Sequence, residues 1–169
     1  MELAKVIDHF ECNSKAIAAL LGNISDEQAR WKPEGKWSIL EIVNHLYDEE
    51  RDDFKLRLTL IIEDPRAAWP PIDPQTWITE RKYNERDLAE SVQRFLKERK
   101  DSILWLKSLH NVPWSNSKEH PTAGTMTASR LLYSWLAHDY LHIKQITIML
   151  FNYLQKDVSP ISLNYAGEL

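Results

Sequence analysis

Two histidines four residues apart, His138 and His142, stand in a run whose other members are apolar. Leu131, Trp135, His138, His142, Ile146 and Met149 step by four, three, four, four and three residues. On a helix that spacing is a single inward stripe, so the two imidazoles project from adjacent turns of one face. An imidazole in an apolar seam needs a partner for both ring nitrogens or bears a desolvation cost. Two histidines hydrogen-bonded to core neighbours meet that need. So does a divalent ion, which takes one nitrogen of each ring while the other nitrogen fixes the tautomer. His45 favours the ion. It follows a capping signal by two helical turns, beside Ile42 and Leu46, and a bundle site needs such a ligand from a facing helix.

Other residues of these types carry weaker claims. Glu49 lies one turn after His45, within reach of an ion or its bound water as a general base. It also belongs to the acidic run Asp48-Glu49-Glu50, which reads equally as a solvated surface. Asp139 and Gln145 neighbour the ligands, and Asp139 is rotated off their face toward solvent. His120 sits in a loop that can border a site, though a plain loop histidine is the commoner case. His9 and His110 invite no functional role. Cys12 lies off the stripe of its helix, with no basic neighbour to activate it. Trp69 and Trp77, on a proline-rich stretch, suit either a pocket wall or packing of that stretch onto the helices.

Four long helices would hold these residues. The first has Leu3, Val6, Ile7, Phe10, Ile17, Leu20 and Leu21 on one stripe and ends at Gly22-Asn23. Ser25-Asp26-Glu27-Gln28 has the form of a capping box for one short turn. The second helix starts at Ser38, with Glu41 at the reciprocal capping position, and runs to about residue 62. Phe54, Leu56, Leu58 and Leu60 alternate there in strand fashion, but a lone strand has no partner. Residues 63–79 form a long connection with Pro65, Pro70, Pro71 and Pro74, of the kind that crosses a bundle or lines a site. The third helix is capped by Asn84 and buries Leu88, Val92, Phe95, Ile103 and Leu106, with Glu90, Arg94 and Glu98 on its solvent side. A second loop spans 111–125, and the last helix runs from about Thr127 to Tyr153.

The bulk properties fit one domain over residues 1–169. Only four glycines favour helices over a turn-rich β fold, and a net charge of −4 without a basic stripe argues against nucleic acid. No apolar stretch suggests a membrane span, and a lone cysteine gives a cytoplasmic expectation.

Trp37-Ser38-Ile39, Glu41, His45-Leu46 and His138-Asp139-Tyr140-Leu141-His142 together resemble the DinB-like family, YfiT-type proteins among them. Tyr83-Asn84-Glu85-Arg86-Asp87-Leu88 and His120-Pro121 with Gly124 extend the likeness over nearly the whole chain. The resemblance implies an all-α four-helix bundle with a long crossover, holding one divalent ion, zinc or nickel, on His45, His138 and His142. It further implies a thiol-dependent S-transferase that joins a low-molecular-weight thiol to an electrophile. A metal-dependent hydrolase with Glu49 as base and a non-catalytic, stress-related metal-binding bundle stand as alternatives. Relatives of this kind also suggest a homodimer.

Overall fold

The apolar stripes fold into four long helical segments in a computed structural model that describes residues 2–167. Helix α1 (Leu3–Leu21) buries Val6, Ile7, Phe10, Ile17 and Leu21. A short helix α2 (Asp26–Arg30) is capped by Ser25, whose Oγ accepts from the Gln28 N–H at 3.1 Å. Helix α3 (Ile39–Glu49) opens on a full capping box. Ser38 Oγ accepts from the Glu41 N–H at 3.1 Å, and Glu41 Oε2 accepts from the Ser38 N–H at 2.8 Å. A π-helical turn, Glu50–Phe54, joins α3 without a break to α4 (Lys55–Glu63). The wider turn resets the inward face, so Phe54, Leu58 and Ile61 are buried while Leu56 is exposed. The strand-like alternation of this stretch is a by-product of that reset.

Three expectations need correction. The connection after α4 contains a helix, α5 (Pro74–Glu80), with Pro74 in its first turn and Asp73 as its cap. The cap of α6 (Leu88–Ser108) is Asp87, whose Oδ1 accepts from the Glu90 N–H at 2.8 Å. Asn84 lies in a 3₁₀ turn instead, where its Oδ1 accepts from Ser38 Oγ at 2.6 Å. The second loop carries an antiparallel hairpin of β1 (Ser117–His120) and β2 (Gly124–Thr127), whose turn uses Gly124 at φ +69°. Helix α7 (Ala128–Asp157) is capped by Thr127 and runs four residues past Tyr153.

Helix α1 packs on α6 and α7, and α3 packs on the same two, so α1 and α3 stand across a diagonal. The core fixes the directions. One apolar cluster joins the start of α1, all of α4, the end of α6 and the start of α7. The other joins the end of α1, all of α3, the start of α6 and the end of α7. The chain therefore runs up along α1, down along α3–α4, down again along α6 and up along α7. Two consecutive parallel segments require residues 64–87 to travel back along the whole bundle, which accounts for the long crossover.

Between the two apolar clusters lies a polar layer: Asn13, Ser14, Glu50, Arg99, Asp139 and the histidines. Glu90 and Arg94 pair at 2.7 Å on the solvent side as expected, whereas Glu98 is mostly covered and lies 3.9 Å from Lys55.

Candidate metal centre

The buried stripe of α3, with Ile39, Ile42, Val43 and Leu46, turns His45 inward, and the α7 stripe presents His138 and His142 to it. The three imidazoles converge. His138 Nε2 lies 3.3 Å from His45 Nε2 and 3.0 Å from His142 Nε2. All three ligand atoms fall within 4.8 Å of one another. Metal–nitrogen bonds of about 2.0–2.1 Å at tetrahedral angles place two ligand nitrogens about 3.3 Å apart. The observed separations match that spacing.

Electrostatics favour the ligand state. Burial, helped by the neighbouring His142, pushes His45 down to about 3, and burial with both other histidines pushes His138 down to about 2. His142 is also lowered by burial, against the opposing pull of its bond to Gln145. The rings are thus neutral at physiological pH, with lone pairs to offer. His142 Nδ1 donates to Gln145 Oε1 at 2.8 Å, which turns the unprotonated Nε2 inward. His45 Nδ1 is buried without a partner, and the ring is held by Trp37, edge-on at 4.8 Å.

Three neutral imidazoles cannot satisfy one another in this arrangement. His138 Nε2 faces two nitrogens and has one proton or one lone pair to give. A divalent cation resolves the conflict at all three atoms, so the residues fit a metal ion.

The histidines form one wall of an open cleft of about 540 Å³, closed on other sides by Lys36, Trp37, Glu49, Gln75 and Gln145. Glu49 is 4% exposed, and its Oε1 has no hydrogen-bond partner. Burial first, then the adjacent Asp53, raises its carboxyl to about 9. Its oxygens are not part of the close histidine group, which places Glu49 beside the centre rather than in it.

The solvated reading of the acidic run is overturned, since Asp48, Glu49 and Glu50 are all buried. Asp139 is fully buried too, and with Glu50 it grips Arg99. The cause is geometric. Helix α7 contacts both α1 and α3, so a residue rotated off the ligand face still meets a neighbour. His120 is outside the cleft and contacts Arg57 of α4. Trp77 is buried against Arg81, and Trp69 bonds the Glu119 carbonyl, so neither walls the cleft. That role falls to Trp37, beside the Ser38 cap. Arg99 was findable, since Phe95, Arg99 and Ile103 step by four along a buried stripe.

Fold and site define the class: a four-helix bundle with a three-histidine centre at one open cleft. The chain belongs to the DinB superfamily, whose family model matches residues 9–146. Among solved structures it is similar to YfiT from Bacillus subtilis, described as a probable metal-dependent hydrolase with an unusual four-helix bundle topology. The two share 20% identity and a TM-score of 0.80 over 90% of this chain and 87% of that one. No curated protein matches the chain. Among the described residues no helix is long and apolar enough to cross a membrane.

Proposed function

We propose that this chain is a metal-dependent hydrolase in which His45, His138 and His142 hold one divalent ion. In this reading Glu49 moves a proton at the ion's open side. The carrying observation is the convergence of three neutral Nε2 atoms, 3.0 and 3.3 Å apart, on the wall of an open cleft. Structural sites are closed by four protein ligands, while three leave a position for a reactant. Imidazole suits zinc and nickel equally. Bound there, the ion supplies Lewis-acid chemistry that lowers the pKa of a water or thiol. Among the described residues Glu49 is the one carboxyl lining the cleft, and a nearby dication opposes the burial that keeps it protonated. The likeness to YfiT supports the hydrolase reading over the thiol one.

S-transfer from a low-molecular-weight thiol to an electrophile is the second reading. It is favoured by a cleft far larger than one water needs and by Lys36 on its wall, a charge suited to an anionic cosubstrate. The test is a panel of esters, amides and electrophiles offered to metal-loaded protein, with and without thiols. The hydrolase reading expects thiol-independent turnover that falls about 10²-fold or more in Glu49→Gln while metal content holds. Turnover that requires a thiol would establish the transferase. Absence of both, with a metal that never exchanges its solvent ligand, would leave a non-catalytic metal-binding bundle.

A further inference from the structure

We propose that Lys36 and Gln145 form a carboxylate subsite on the cleft wall, on the reading of the three histidines as a hydrolytic metal centre. The molecule turned over is then an ester or amide that carries a carboxylate a few atoms from its scissile carbonyl.

Chemistry fixes the direction of the Gln145 amide. A histidine that ligates through Nε2 keeps its proton on Nδ1, so His142 Nδ1 must donate. The atom facing it at 2.8 Å is Gln145 Oε1. An amide whose oxygen is engaged in this way has only its NH2 group left to offer, and that group only donates. Gln145 is half-buried on the cleft wall, and its NH2 has no partner among the described residues.

Lys36 comes from the loop ahead of α3. The turn Pro33–Lys36 is closed by the Lys36 N–H on the Pro33 carbonyl at 3.1 Å, with Gly35 at φ +70°. It delivers Lys36 and Trp37 to the cleft just before the Ser38 cap. Lys32, at the start of the same loop, is taken up by Glu41 at 2.5 Å. Lys36 is exposed and pairs with no carboxylate among the described residues.

Charge selects the ligand. The chain as a whole carries −4, yet Lys36 is the one Lys or Arg among the described residues lining the cleft. Glu49 is the opposing carboxyl, and burial raises it to about 9. With a dication bound, the cleft is net positive whether or not Glu49 ionises. Its volume of about 540 Å³ takes a small molecule with two functional ends. One end meets the ion and Glu49. The other meets an ammonium, which repels a cationic tail, and amide N–H groups, which gain nothing from an apolar one. A carboxylate satisfies both.

The test is calorimetric titration of zinc-loaded protein with hydroxamic acids, which chelate zinc. They are taken in pairs of equal chain length that end in methyl or in carboxylate: butanohydroxamic against succinic monohydroxamic acid, and the next two homologues of each. The carboxylate member of at least one pair should bind about tenfold tighter, and the advantage should shrink as salt rises. Lys36→Met and Gln145→Glu should each erase most of that advantage while the methyl member binds as before. In Gln145→Glu a carboxylate still accepts from His142 Nδ1 but has no N–H to give, so zinc affinity should not fall by more than about threefold. An advantage that survives either variant overturns the two-residue subsite. Equal binding within every pair also overturns it and leaves the metal centre standing. Failure of every hydroxamate to bind would remove the ion's open side, and the proposed function with it.

Discussion

Two polar clusters sit side by side in the middle of this bundle, and His138 and Asp139, adjacent in sequence, belong to one each. Around Arg99 the accounting is nearly complete. The guanidinium, 1% exposed, donates to Glu50 at 2.8 and 2.7 Å and to Asp139 at 2.6 and 2.7 Å. Asn13 adds a donor to Asp139 at 3.2 Å, and Trp135 Nε1 adds one to Glu50 at 3.0 Å. Despite full burial, the two carboxylates hold the Arg99 pKa above its ordinary value. The histidine cluster is the opposite case. Three nitrogens face one another without enough protons to pair them, and the cluster opens on a cleft. A satisfied network joins helices, here α1, α6 and α7 through the π turn that follows α3. An unsatisfied one implies a missing charge.

Removing a partner should therefore have unequal effects. Arg99→Met leaves two buried carboxylates unpaired and is expected to cost about 3–5 kcal/mol in urea unfolding. His138→Ala in ion-free protein should cost far less, because it relieves a conflict. Equal losses from the two variants would show that the histidine cluster is as well satisfied as the one around Arg99.

Acid and alkali should separate the clusters next. Histidines whose folded pKa is lowered, as for His45 to about 3, are charged more readily when unfolded. Their contribution is intact above about 6.5 and is lost as pH falls from there toward 3. Glu49, raised to about 9 from 4.5, has the opposite sign, and its contribution is lost as pH rises between those values. Ion-free protein should thus be most stable at mildly acidic pH, and Glu49→Gln should flatten the alkaline limb of a Tm–pH curve. An unchanged limb would show that Glu49 ionises normally.

The smallest expected effect is local. Ser38→Ala removes the α3 cap and the contact to Asn84, which should cost about 1 kcal/mol in urea and weaken metal binding only modestly. A large loss of metal affinity would mean that the cap, rather than the core, aims His45.

The same contrast governs how legible the sequence is. The three converging histidines are readable because a titratable residue on an apolar stripe has few alternatives. The stripes of α1, α3, α6 and α7 likewise give the bundle. Arg99 sits on such a stripe, yet its partners Glu50 and Asp139 look solvated, because a single helix period cannot show that each helix touches two others. The π turn hides behind the alternation of Phe54, Leu56, Leu58 and Leu60. The hairpin hides in a polar segment, Ser117 to Thr127, whose pairing is made by backbone groups rather than by an apolar pattern.

Whether the unsatisfied cluster holds a metal ion can be read from equilibrium titration of zinc or nickel into ion-free protein. The wild type should bind one ion per chain tightly and His138→Ala should lose it, with the variant still helical and cooperatively folded, since the apolar stripes of all four long helices carry the fold. Retention of a tight, stoichiometric ion by His138→Ala would contradict the three-histidine site.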